Sequence, residues 1–186
     1  MVEPPISRPG LPPAFRHRRF RGTFGAVAFV QALHTGEHLA VLYQRYALHQ
    51  AEAQGLLGRW LDFEWVHFTF NLALSALLLL LFLGYRMDRP EWRRQSAVGW
   101  WAMAGAVVVE IGLHLPEHVV RMVQYLKWGW NPAPGILGHT ATHGSGPFDV
   151  VLLHTAYNAA VAVLLLVAYA GLVTPRAGVI VAEPAA

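Results

Sequence analysis

From Asn71 to Tyr85 the chain reads NLALSALLLLLFLGY, without a single charge, inside an apolar window that runs from Leu61 to Tyr85. Roughly 20 mostly apolar residues are what a helix needs to cross a bilayer, where the backbone finds no hydrogen-bond partner outside its own segment. Three more windows have comparable length: Phe24 to Leu48, Ala97 to Leu126 and Phe148 to Val173. The first and third are less apolar because they carry histidines and glutamates. Apolar residues surround those groups on all sides rather than along one stripe, which favours burial over a surface helix. Only 13% of the residues are charged, against about 25% in soluble domains. An all-α integral membrane protein with four transmembrane helices is the expectation.

Residues 1–23, MVEPPISRPGLPPAFRHRRFRGT, are rich first in proline and then in arginine, and are expected to form a disordered basic tail. The apolar run that follows is interrupted by HTGEH and lacks a convincing small-x-small cleavage site, so the tail is read as retained rather than as part of a signal peptide. Orientation follows from arginine and lysine near the span ends. Arg8, Arg16, Arg18, Arg19, Arg21, Arg86, Arg89, Arg93, Arg94 and Arg176 fall on one side, and Arg45, Arg59, Arg121 and Lys127 on the other. That bias predicts a multi-pass protein of the cell (inner) membrane with both termini cytoplasmic. The net charge of +3 carries no nucleic-acid signal, because the arginines cluster beside apolar segments. The absence of cysteine excludes disulfides, thiolate metal sites and cysteine nucleophiles.

Inside the spans a pattern recurs. LHTGEHLAVL holds His34, Glu37 and His38, and LHLPEHVVRM holds His114, Glu117 and His118. WVHFTFN holds His67 and Asn71, and LLHTAYN holds His154 and Asn158. The order HxxEH, HxxxN, HxxEH, HxxxN predicts a four-helix bundle built from two tandem two-helix repeats, residues 24–85 and 97–173, with a C-terminal tail at 174–186. Two spans per repeat make the repeats parallel, related by an axis along the membrane normal. At about 1.5 Å per residue all four motifs fall in one layer, between the bilayer centre and the outer interface.

Positions i, i+3 and i+4 share one helix face, so each HxxEH projects its three side chains together. Interhelical hydrogen bonding alone explains such a cluster poorly. It adds about 0.6 kcal/mol per pair, whereas an ionisable group at the bilayer centre costs about 2.5–3.5 kcal/mol on insertion scales. Imidazole is the commonest protein metal ligand, and carboxylates neutralise or bridge cations. The expected ligands are therefore His34, Glu37, His38, His67, His114, Glu117, His118 and His154, holding two metal ions, iron first and copper or zinc next. Carboxylate-bridged sites in soluble bundles are the analogue. Asn71 and Asn158 suit hydrogen bonds behind the ligands. Glu110, aligned with Val30, is a proton relay or an extra ligand. Glu64 lacks a counterpart, since Val151 takes its place.

Haem b or a pigment, held by histidines of two helices, is the alternative cofactor. HxxEH also orders the ligands of some zinc peptidases, but two copies at membrane depth speak against that chemistry. The HxxHH box of membrane desaturases is not found. The long loop KWGWNPAPGILGHTATHGSGPFD, with His139 and His143, is expected to form an ordered lid. The expected function is redox or oxygen chemistry on a small or lipophilic substrate, as in a di-metal monooxygenase or hydroxylase. An electron-transfer subunit and a metal-binding or transport protein are the alternatives. Partners would be the bilayer, an electron donor or other membrane subunits.

Overall fold

A computed structural model describes residues 18–61, 64–144 and 146–173. The predicted tails at residues 1–17 and 174–186 lie outside the described residues, as does Ser145. The chain is mostly helical. Helix α1 spans Arg18–Tyr46, the short α2 Gly58–Leu61, α3 Glu64–Gly84 and α4 Pro90–Gln95. Helix α5 (Ala97–Val109) continues through a π turn (Glu110–His114) into α6 (Leu115–Trp128), and α7 covers Val150–Val173. A two-residue parallel pairing joins β1 (Gly138–His139) to β2 (Phe148–Asp149) within the long loop.

Among the described residues, three helices are long and apolar enough to cross a membrane: α3, the continuous rod Ala97–Trp128, and α7. At 29 residues α1 has the length but is not among them. Arginines in its first turn, and Gln31, His34, Glu37 and His38 further on, dilute its apolar content. It also starts earlier than its hydropathy suggests. Phe20 and Phe24 are fully buried, Phe20 against Tyr85 and Trp92, Phe24 against Tyr169, and this aromatic packing holds residues 18–23 in the helix.

Helix α1 packs along α7, α5 along α7, and α3 along α6, whereas the backbones of α1 and α3 stay apart and meet through side chains, His34 stacking on Phe70. The reason lies in side-chain size. Where α5 crosses α7, Gly99 faces Gly171, and a methyl group built on Gly171 would sit 2.8 Å from the Gly99 Cα, so only glycine allows the approach. The matching stretch of α1 carries Phe20, and nothing lies within 4 Å of a methyl group built on Gly84 of α3. The second pair of helices closes and the first is splayed.

The π turn follows from Pro116. Proline has no N–H to bond the carbonyl four residues back, and its ring pushes against that carbonyl. The helix takes up the strain by a wider turn, in which the Leu115 N–H bonds the Glu110 carbonyl. At the matching position of α1 stands Gly36, and α1 stays α-helical throughout. The wider turn absorbs one residue. Beyond it His114 corresponds to His34, eighty residues apart, but before it the buried Gly99, Met103, Ala106 and Glu110 correspond to the buried Phe20, Phe24, Val27 and Gln31, seventy-nine apart. By this burial spacing Glu110 falls opposite Gln31 rather than Val30.

Candidate metal centre

Six imidazoles from four helices meet in one cluster. On α1, His34 and His38 lie one turn apart with their Nε2 atoms 3.3 Å from each other, and on the α5–α6 rod His114 and His118 repeat this at 3.1 Å. Ring centroids of His67 lie 6.1 and 5.8 Å from those of His34 and His38, and those of His154 lie 5.9 and 4.8 Å from His114 and His118. The two triads adjoin: His38 and His154 stack at 6.5 Å, His67 and His118 at 6.3 Å, each pair tilted by 20°. His114, His118 and His154 are buried, and their ligating nitrogens lie within 4.8 Å of one another, close enough to hold a metal ion.

The surroundings of this second triad suit that role. His114 Nδ1 pairs with Glu110 Oε2 at 2.9 Å, and His154 Nδ1 with the Val150 carbonyl at 2.8 Å. An acceptor at Nδ1 favours the proton there and a lone pair on Nε2, the tautomer that metal-binding histidines need; at His154 that lone pair faces Arg121 Nη1 at 3.0 Å, a donor that a metal ion would have to displace. His118 Nδ1 is buried without a hydrogen-bond partner. The donor set suits a cation, with two imidazoles oriented from behind and one buried nitrogen still lacking a partner, provided that the Arg121 guanidinium withdraws from His154. Glu110 is completely buried and its other oxygen accepts from Ser75 Oγ at 3.2 Å. In the first half Gln31 occupies its place and turns to the Asn158 side chain at 3.0 Å.

Asn71 and Asn158 do not touch imidazole rings through the bonds they donate. Each Nδ2 donates to the backbone carbonyl of the histidine one turn earlier, His67 at 2.8 Å and His154 at 2.9 Å. They brace the helix that carries the ligand.

Glu37 and Glu117 share the histidine face in sequence, but their carboxylates are committed elsewhere. Glu37 Oε1 accepts from the Leu57 N–H at 2.6 Å. Glu117 Oε1 accepts from Ile136 and Leu137 at 2.9 and 3.2 Å. Two turns further, Gln44 bonds both the N–H and the carbonyl of Gly55, and Gln124 does the same to Gly135. Both glycines have positive φ, +72° and +83°, and a side chain on either would collide with the glutamate. Each HxxEH helix thus clasps the loop that follows it. The physical reason is reach: a glutamate about two and a half to three turns below the helix end meets loop amides that need acceptors. Among the described residues the group close enough to share an ion is His114, His118 and His154, and it contains neither carboxylate nor His34, His38 or His67.

Arg121 is the principal residue that sequence reading misplaces. It counts there as a charge near the outer end of the third span, yet it is buried, ion-paired to Glu64, with Nη1 at 3.0 Å from His154 Nε2. Glu64 also accepts from the Ala133 N–H at 3.1 Å. One signal was available. Arg121 and Glu64 both lack a polar counterpart in the other half, where Val41 and Val151 stand, and such paired exceptions indicate contact. His139 and His143 are remote from the cluster in their bonding. His139 pairs with the Gly146 carbonyl at 3.0 Å, and His143 stacks on Trp130 with centroids 4.7 Å apart. They order the long loop, whose Asn131 and Pro132 reach the site.

Between the splayed α1 and α3 lies a cleft of about 720 Å³. His34, His38, His67, His118 and His154 line it together with the apolar Val30, Leu33, Val66 and Phe70. No known protein family, curated protein or solved structure matches this chain.

Proposed function

We propose that this chain is an integral membrane metalloprotein in which two histidine triads, His34/His38/His67 and His114/His118/His154, each hold one metal ion. The observation that carries the reading is the convergence of three buried ligand nitrogens in the second triad, with the same residue types at matching positions in the first. The four long helices are read as a transmembrane bundle of two tandem repeats about an axis along the membrane normal. Support comes from the recurrence of the histidine pairs and of the glutamate, glutamine and glycine loop clasps at one spacing. On α1 the polar groups Gln31 and Thr35 are buried while Phe29 and Leu33 are exposed, the inside-out arrangement that lipid favours. With Arg121 buried, the arginine and lysine bias between the two sides becomes steeper, and both termini are assigned to the cytoplasmic side.

All-imidazole ligation without thiolates suits iron or copper, which supply one-electron and oxygen chemistry. The apolar cleft beside the first triad would admit a small lipophilic substrate, and an electron donor would complete such an oxidoreductase. In this reading Glu37 and Glu117 hold loops and Glu110 orients His114. Haem b is the second reading, favoured by the size of the cleft next to the partly exposed His34, His38 and His67.

Elemental analysis and an absorption spectrum of the purified protein separate the readings. Non-haem metal that is lost with His114→Ala supports the triads. A Soret band replaces them with haem, and protein that stays metal-free after growth in iron and copper overturns both. Cysteine labelling of Ser7→Cys and Ser145→Cys variants tests the orientation, which requires the two sites on opposite sides.

A further inference from the structure

Arg121 has no role in the metal reading, yet it lies against one of the three ligands. Its Nη1 is 3.0 Å from His154 Nε2 and 3.1 Å from Nδ1, and Nδ1 already pairs with the Val150 carbonyl. The lone pair left for an ion is therefore the one that faces the guanidinium. Glu64 holds the arginine there by an ion pair and is itself tied to the Ala133 N–H. The seat is incomplete, since Arg121 Nε is buried without a hydrogen-bond partner. Arg121 is also among the residues that line the cleft, so space for another position of its head adjoins it. In the first half Val41 stands at the matching position.

We propose that Arg121 is a built-in competitor for the metal ion of the second triad: guanidinium and ion exclude each other on His154, and an ion seats there only as the arginine turns into the cleft. One lone pair cannot serve a donor and a cation together, and a guanidinium does not give up its proton in proteins. A cation arriving at His114 and His118 thus meets a blocked third ligand and a like charge beside it. The competition takes back part of the advantage that burial and the Glu110 hydrogen bond give this triad. The arginine leaves at reduced cost, because its unpartnered Nε–H can be hydrated once the head reaches the cleft. The coupling is reciprocal: whatever factor the arginine takes from the ion's affinity, the ion takes from the arginine's hold on His154. With Val41 at the matching position, the first triad lacks this device. The inference rests on the reading of His114, His118 and His154 as a metal site.

The test uses the full chain in phosphatidylcholine nanodiscs, carrying His34→Ala and His38→Ala so that zinc, the probe, reports on the second triad alone. Competition with a chelator of known affinity gives the zinc affinity. One zinc per chain is expected, lost with His114→Ala. Glu64→Val combined with Arg121→Val removes the competitor without changing the net charge beside the triad, and should tighten zinc by about tenfold or more. In the chain that keeps Arg121, modification by 1,2-cyclohexanedione is followed by mass spectrometry of the peptide that holds it. The reaction should speed up by a similar factor when zinc is bound, because the guanidinium then reaches the cleft. Zinc binding that is unchanged or weakened in the double variant overturns the proposal and makes Arg121 a support for His154. Arg121 that stays equally protected with zinc bound overturns it as well. In both cases zinc that still depends on His114 leaves the metal reading standing. Zinc that ignores His114→Ala, or that binds neither form, sinks the metal reading and the competitor with it.

Discussion

The two HxxEH helices carry the same motif in different settings, and the contrast separates what the motif does from what its neighbours add. Both place two histidines with Nε2 atoms about 3.2 Å apart and both clasp a loop through glutamate and glutamine. Only the second has a carboxylate behind its first histidine, an arginine against the histidine of the partner helix, and a closed helix crossing at Gly99 and Gly171. Its three imidazoles are buried, and those of the first half are half-buried. The histidine geometry belongs to the motif. Burial and orientation come from Glu110, Arg121 and the glycines.

The largest expected effect breaks the contrast at the ion pair. Replacing Glu64 or Arg121 alone by valine leaves a buried charge without its partner and should destabilise the protein by about 3–5 kcal/mol. Replacing both reproduces Val41 and Val151, and should come close to the unaltered protein. Thermal unfolding in detergent checks this; two single losses that simply add in the double variant would refute the coupling.

The contrast in metal affinity comes next. Glu110→Gln weakens the hydrogen bond that orients His114 and should lower metal affinity at the second triad by about 10–100-fold, with no change at the first. Competition with a chelator of known affinity reads both sites. Equal weakening at the two would show that Glu110 acts through the fold as a whole.

The smallest effect concerns the loop clasps. Glu117 is buried, and Glu117→Ala leaves the Ile136 and Leu137 amides without their acceptor, a loss of about 1–3 kcal/mol. Glu37→Ala should cost less, because the bond to Leu57 is exposed and water can replace it. Hydrogen exchange should rise in residues 129–138 for the first variant and in residues 51–58 for the second, with metal content retained in both. Metal loss with an unchanged loop would restore the glutamates as ligands.

Helical class and the clustering of six histidines were legible in the sequence because both depend on short-range periodicity, as in NLALSALLLLLFLGY and in the i, i+4 histidine pairs. The direction of Glu37 and Glu117 was not legible: residues on one helix face can still turn toward a loop about twenty positions later, and periodicity contains no such distance. Arg121 escaped because charge counting treats every arginine near a span end as solvated. The register shift was visible only as Pro116 opposite Gly36, which becomes meaningful once the π turn is known. Where α1 begins was set by aromatic contacts of Phe20 with residues more than sixty positions away, beyond any local pattern.

Counting non-haem metal ions per chain in the unaltered protein, in His34→Ala/His38→Ala and in His114→Ala/His118→Ala tests the central claim most directly. Two independent triads predict two ions in the first sample and one in each of the others, with the ion lost from the second triad being the more tightly held. The same count in all three samples, or a haem spectrum abolished by either pair of substitutions, would contradict it.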